Sequence, residues 1–314
     1  MDDDKMNSLV SVIMPAKNAG KFIKQSIESI LNQSYQDIEL IVINDKSTDD
    51  TLSIIKQFDD ERISVIEGNS TGISDAFNLG LKHAQGVFFC RCDADDLYPS
   101  DRIASQVKWL RDNPDYIAVC GKYATIDKKN RHLVQYLRDA QDQNIDDEFK
   151  ILKTITHFCT FMTYTSTLRN IGGCRAFFVT GEDIDLQLRL SMEGKIFFLA
   201  KNFYYYRLHN ISITHTQPSS KREFYEAMAR KCHQQRQAGD KDSVDSGENL
   251  TPPEIGDTAR KSENKIINQM ISQSWYWHKS NEHKKAIYEA FRIVKIFPTS
   301  LLPWKNLLTI IMKK

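Results

Sequence analysis

The 314-residue sequence has no Cys-x-x-Cys pair, no run of 18 apolar residues and almost no net charge. The first absence argues against a structural zinc site. Its six cysteines, Cys90, Cys92, Cys120, Cys159, Cys174 and Cys232, stand singly, several in apolar surroundings, as expected of small hydrophobes in a reducing cytoplasm. The second absence excludes a transmembrane helix, and the apolar stretch 9–14 is too short for a signal-peptide core. The expected setting is therefore cytoplasmic, free or at the inner face of the cell membrane. The third, 42 Lys and Arg against 41 Asp and Glu, leaves no global field to attract nucleic acid. Two further lacks are local. Ala16-Lys-Asn-Ala-Gly20 is too poor in glycine and arginine for the pyrophosphate loop of a sugar nucleotidyltransferase, and no Gly-Lys-Ser/Thr follows Gly72 to make a P-loop.

What is present begins after Met1-Asp-Asp-Asp-Lys5-Met6, which reads as an expression-tag remnant (1–6). Short apolar runs alternate with amphipathic segments. Val10-Ser-Val-Ile-Met14, Ile38-Glu-Leu-Ile-Val-Ile43, Ile63-Ser-Val-Ile66 and Val87-Phe-Phe-Cys90 predict strands. Between them, helices are expected after Gly20, over 51–58 behind an N-cap at Ser47-Thr-Asp-Asp50, and over 73–84. This order predicts an α/β fold with a mostly parallel sheet and helices on both faces, whose ligands bind beyond the carboxyl ends of the strands. A mixed region follows, with a helix after Glu182, a strand at Ile196-Phe-Phe-Leu199 and an aromatic run Phe203-Tyr-Tyr-Tyr206. The expected division is 7–215 for a catalytic domain, in halves 7–100 and 101–215, and 216–314 for a helical extension with a flexible link over 236–262.

Five clusters carry candidate chemistry. Cys92-Asp93-Ala-Asp-Asp96 packs three carboxylates just past a buried strand; they suit Mg²⁺ or Mn²⁺, although a solvated acidic turn would look the same. Asn44-Asp-Lys-Ser-Thr-Asp-Asp-Thr51 places Asp45 where it can meet a base or ribose, or else simply caps a helix. Asn69-Ser-Thr-Gly72 allows a tight turn before a helix. Thr180-Gly-Glu-Asp-Ile-Asp-Leu-Gln-Leu-Arg189 puts Glu182 and Asp183 at a helix N-terminus, which favours an ionised base. Tyr206-Arg-Leu-His209, with Ser212 beyond, offers a metal or phosphate contact; His157 is a weaker candidate of the same kind.

In order and spacing these elements resemble the family 2 glycosyltransferases with the GT-A nucleotide-diphospho-sugar transferase fold, over about residues 8–214. The matching pieces are Val10 to Asn18, Asp45-Lys-Ser-Thr-Asp49, Asp93-Ala94-Asp95, Glu182-Asp183 through Arg189, and Tyr206-Arg207-x-His209. The resemblance implies that Pro15, Asp45, Asp93 and Glu182 bind the nucleotide-sugar. It implies that Asp95, Asp93 and His209 hold Mn²⁺ or Mg²⁺, and that Asp183 is the general base. The implied reaction is an inverting transfer of a hexosyl or N-acetylhexosaminyl group. The donor would be a nucleotide-sugar, most often a UDP-sugar, and the acceptor a saccharide or lipid-linked saccharide of polysaccharide biosynthesis. A non-catalytic nucleotide-sugar or carbohydrate binder is the alternative, against which the intact Asp45, Asp93, Asp95 and Asp183 argue. Two departures stand out. Lys46 replaces the usual glycine, and Phe77 stands where many members carry arginine. No Gln-x-x-Arg-Trp motif is present, which favours transfer of one or few sugars. Finally, 283–314 holds seven Lys or Arg against one acidic residue, with Leu301, Leu302, Trp304, Leu307, Leu308, Ile310, Ile311 and Met312. That mixture fits a peripheral membrane contact through 297–314 on an anionic surface; a hairpin packed on the domain, or a homodimer contact, fits the same residues.

Overall fold

A computed structural model describes residues 9–209, 219–252 and 262–313. The expected tag remnant at 1–6 and Ser212 lie outside them.

The first third folds as the apolar periodicity dictates. Strands β1 (Val10–Ala16), β2 (Ile38–Asn44), β3 (Ile63–Glu67) and β4 (Phe88–Arg91) alternate with helices α1 (Ile23–Leu31), α2 (Thr51–Ile55) and α3 (Ile73–His83). There follow α4 (Arg102–Asp112), β5 (Tyr116–Ile126), β6 (His132–Gln135), β7 (Gln143–Asn144), α5 (Asp146–Lys150), a 3₁₀ turn (Phe158–Thr160), β8 (Met162–Tyr164), α6 (Thr165–Asn170) and α7 (Glu182–Leu190). The chain continues through β9 (Lys195–Arg207), α8 (Ser219–Gln237), α9 (Ser262–Lys279), α10 (His283–Ile296) and α11 (Leu301–Met312). Among the described residues the strands form one sheet in the order β3-β2-β1-β4-β8-β5-β9-β7, with β6 on β5. β1 pairs in parallel with β2 and β4, and β2 with β3. β8 turns antiparallel to β4 and β5.

β1 is buried throughout because its alternate residues enter two different cores. Val10, Val12 and Met14 pack with Ile23, Ile27 and Ile103, whereas Ile13 packs with Phe77, Leu81 and Leu186. α3 lies so close to β1 that a Cβ on Gly80 would stand 2.3 Å from Ile13 Cγ2. The chain runs from β1 outward to β3, then returns to place β4 on the other side of β1. The carboxyl ends of these strands, and the loops after them, therefore share one edge of the sheet, with a topological switch point between β1 and β4.

The described residues divide into two compact units, 9–124 with 135–207 and 219–252, and 125–134 with 208–209 and 262–313. The sequence placed an extension from 216 and a flexible link over 236–262. In the structure α8 instead packs on α7. The segment after α8 is tied down: Arg175 reaches Asp242 at 2.8 Å, Arg236 also meets Asp242, and Ser243 N–H donates to Gln235 Oε1 at 2.9 Å. Asp242 and Ser243 are buried there, while 238–241 and 245–249 are exposed, and 253–261 of the expected link lie outside the described residues. Within the second unit, Ala286, Ala290, Val294, Leu307 and Ile310 pack against Trp275 and Trp277. Arg292 pairs with Glu289 and bonds the Leu133 carbonyl at 2.8 Å.

Candidate functional site

The loops after β1 and β2 interlock. Asn18, itself in the left-handed region, accepts the Thr48 N–H at 2.8 Å and donates its own N–H to Ser47 Oγ at 3.0 Å. Gly20 N–H donates to Asp49 at 3.0 Å and Ala19 N–H to Thr51 Oγ1 at 2.8 Å. The sequence expected Ser47 to Asp50 to cap a helix running to about 58. α2 instead spans only Thr51–Ile55, with no cap from Asp50; Ser47 serves the β1 loop, and Asp49 divides its two oxygens between Gly20 N–H and Thr51 N–H. Asp45 is buried just past β2. Its carboxylate accepts the Ser70 N–H at 2.6 Å and lies 3.4 Å from Lys17 Nζ. A Cβ on Gly68 would meet Asp45 Oδ1 at 2.7 Å, so glycine is required for the third loop to close on that carboxylate. Pro15 is buried in β1, in register with Ile43.

The acidic turn follows β4. Asp93 and Asp95 are half-buried, whereas Asp96 is fully buried. Its frame comes from the far end of β9. Arg207 donates its backbone N–H to Asp96 Oδ1 and its Nε–H to the Asp95 carbonyl, both at 2.6 Å, and its guanidinium lies over Phe22. Tyr204 hydroxyl accepts the Asp93 N–H at 3.0 Å. Burial first, and then Asp95 and Asp93, push the Asp96 carboxyl well above the ordinary carboxylate range, with the Arg207 N–H opposing them. Asp96 Oδ2 has no hydrogen-bond partner among the described residues.

The Glu-Asp pair opens α7 behind Gly181, whose φ of 71° is left-handed. Arg91, the last residue of β4, joins this helix to the acidic turn. Its Nε donates to Asp93 at 2.7 Å and its Nη1 to Glu182 at 3.2 Å, with only 6% of the side chain exposed. Burial raises the Glu182 carboxyl, opposed by Arg91 and reinforced by Asp183. Asp183 itself is half-buried beside an aromatic wall. Burial, then Tyr136 and Asp183, drive the Tyr123 phenol upward, and Tyr123 stacks on Tyr136 with ring centroids 4.5 Å apart. The wall continues through His157 to Tyr204 and Tyr206. The structure thus brings Asp93, Glu182 and Asp183 together. His209, half-buried, follows β9 in the segment that groups with the second compact unit.

Residues 11–181 match the family model for glycosyl transferase family 2. A Rickettsia typhi protein named as an uncharacterized glycosyltransferase is 30% identical over 236 residues, 73% of this chain and 72% of that protein. The chain belongs to glycosyl transferase family 2. A Bacillus subtilis protein, EpsE, named for glycosyl transfer, is 36% identical over 59% of this chain and 67% of its own length. In fold, the family 2 chain is similar to S. aureus TarS 1–349, solved in complex with UDP-GlcNAc. The TM-score is 0.61 at 17% identity, covering 96% of this chain and 90% of that one. The fold is the GT-A type expected.

The two departures from the family 2 pattern now have local causes. Lys46 occupies the left-handed region, φ 55°, so the turn keeps the shape that glycine usually supplies. Phe77 is fully buried, its ring 5.2 Å from Phe89, so it serves the core and leaves no cation at that position. Among the described residues no three His, Cys, Asp or Glu side chains are gathered as a metal cage. Mg²⁺ and Mn²⁺ do not require one, since one or two carboxylates and substrate phosphates suffice. Asp93 and Asp95, half-buried just past β4, have the oxygen donors that suit that kind of ion. Sequence reasoning missed Arg91 and underrated Arg207. Arg91 ends an apolar strand, where a lone arginine two residues before a carboxylate was the available signal.

Proposed function

We propose that this glycosyltransferase moves one sugar from a nucleotide-sugar to a hydroxyl of a saccharide or lipid-linked saccharide acceptor, with inversion. The observation that carries the proposal is the Arg91 bridge. One buried guanidinium joins Asp93, on the donor side, to Glu182, next to Asp183 on the acceptor side. In this reading Asp45 and Pro15 line the nucleobase pocket, Asp93 meets the ribose, and Asp95 with Asp93 would hold Mn²⁺ or Mg²⁺. The bound ion would supply charge neutralisation for the diphosphate leaving group. Asp183, at the α7 N-terminus, takes the proton of the attacking hydroxyl as its oxygen bonds the anomeric carbon and the bond to the diphosphate breaks. Tyr123 and Tyr136 give the acceptor an aromatic face beside that base. Glu182, paired with Arg91, positions the helix rather than the nucleotide.

A UDP-sugar, and an N-acetylhexosaminyl group within that class, is supported by the likeness to TarS, whose solved complexes hold UDP and UDP-GlcNAc. A role in surface polysaccharide assembly and a place at the inner membrane face belong to the same proposal. No helix among the described residues is long and apolar enough to cross a membrane. α10 and α11 nevertheless expose Tyr288, Phe291, Leu301, Trp304, Leu308 and Met312 on a lysine-rich segment. Isothermal titration with UDP, with and without Mn²⁺, tests the donor side. Binding strengthened by Mn²⁺ is expected; absent or metal-independent binding counts against the proposal.

A further inference from the structure

His157 was the weakest histidine candidate in the sequence, yet it stands inside the site. It precedes the 3₁₀ turn, and its Nδ1 accepts the Cys159 N–H at 3.3 Å. That bond fixes the tautomer. With Nδ1 used as acceptor, the neutral ring carries its proton on Nε2 and presents it as a donor. No protein group among the described residues bonds that nitrogen.

The ring is held on several sides. Tyr204 lies nearly parallel to it at 6.1 Å, and the rings of Tyr206 and Tyr123 stand 5.8 and 6.2 Å away. These neighbours tie it to both halves of the site. Cys159, two residues on, directs its thiol to Asp93 Oδ2 at 3.7 Å, and Tyr204 holds the Asp93 N–H. On the other side, Tyr123 feels the charge of Asp183. A donor two residues from the thiol that meets Asp93, beside the ring that feels Asp183 and walled by aromatic faces, suits a sugar hydroxyl oxygen better than an ion.

We propose that His157 Nε2–H donates a hydrogen bond to a hydroxyl oxygen of the sugar being transferred, making His157 a specificity-determining residue. The inference rests on the glycosyltransferase reading of Asp93 and Asp183. It goes beyond that reading by assigning a contact to the sugar itself rather than to the nucleotide.

Two variants separate this role from the capping role. In His157→Asn the side-chain carbonyl replaces Nδ1, so the Cys159 bond is kept and the Nε2 donor is lost. In His157→Gln the amide nitrogen reaches the Nε2 position, but the cap is given up. Full-length wild type and both variants are compared for transfer from the donor identified by a nucleotide-sugar screen, for UDP affinity and for thermal unfolding. Asn is expected to lower kcat/KM about tenfold, the worth of one hydrogen bond. Its UDP affinity should be unchanged and its Tm should lie within about 2 °C of wild type. Gln should recover much of kcat/KM despite a lower Tm. Wild-type kcat/KM in the Asn variant overturns the inference. So do losses in both variants that track Tm, which would mean a cap alone, and so does UDP binding weakened as much as kcat/KM, which would move the contact to the diphosphate. A wild type that releases nucleoside diphosphate from no donor fails the transferase reading instead, a result distinct from all of these.

Discussion

Arg91 is the residue on which the two carboxylate groups of the site depend. Removing it leaves Glu182 buried without its cation, and breaking a buried pair in this way costs about 3–5 kcal/mol. Arg91→Met is therefore expected to lower the midpoint of urea unfolding strongly and to abolish transfer, measured on protein purified below its Tm. Lys46 makes the opposite case. A non-glycine residue in the left-handed region costs roughly 1–2 kcal/mol, so Lys46→Gly should raise Tm by a few degrees, less what glycine loses in chain entropy. A Tm that falls would show that Lys46 makes a contact worth more than its strain. At this scale the sequence was readable where a carboxylate follows a strand, as with Asp45 and Asp93, or opens a helix, as with Asp183. It was not readable where one side chain spans distant segments, as Arg91 does to Glu182 and Arg207 to Asp95 and Asp96, because spacing along the chain says nothing about such closures.

Helix α7 carries Glu182 and Asp183 at one end, and its middle is anchored by ion pairs that no local pattern announces. Asp185, fully buried, takes bonds from Arg175 and Arg189, and Arg175 passes to Asp242 beyond α8. Burial alone would raise the Asp242 carboxyl. The Asp245 N–H and the Arg175 and Arg236 guanidiniums outweigh it and hold it below the usual range. A depressed folded-state pKa means stability that is present above the unfolded value, about 4, and lost as pH falls through the folded one. Asp242→Asn should therefore lower stability at neutral pH and flatten the acid limb of the stability curve below about pH 4; an unchanged limb would assign it to other carboxylates. The strands and helices before residue 100 were legible because each repeats its apolar residues at period 2 or 3.6. The Asp242 anchor after α8 was not, since one buried carboxylate in an otherwise exposed polar stretch leaves no pattern along the chain.

For the whole molecule, the family, the GT-A fold and the strand-end position of the acidic residues follow from the order of short motifs, and the C-terminal third is helical. There the apolar positions at helical spacing fall into two kinds. Leu307 and Ile310 are buried, but Leu301, Leu308 and Met312 stay 75%, 59% and 82% exposed beside lysines. If that face meets an anionic membrane, Leu301→Glu with Leu308→Glu should abolish co-sedimentation with phosphatidylglycerol vesicles and leave Tm nearly unchanged. Retained sedimentation would reject the membrane, and a shift from dimer to monomer in the ultracentrifuge would assign the face to a second copy of the chain. The central claim concerns the other unit, and nucleoside-diphosphate release tests it most directly, measured with Mn²⁺ across UDP-, GDP- and TDP-sugars for wild type and Asp183→Asn. Wild type should release diphosphate from one donor class, and the Asn variant should bind that donor equally well yet turn over about 10²–10⁴-fold more slowly, the usual worth of a general base. Near-normal turnover in Asp183→Asn, or no release by wild type from any donor, would contradict the account.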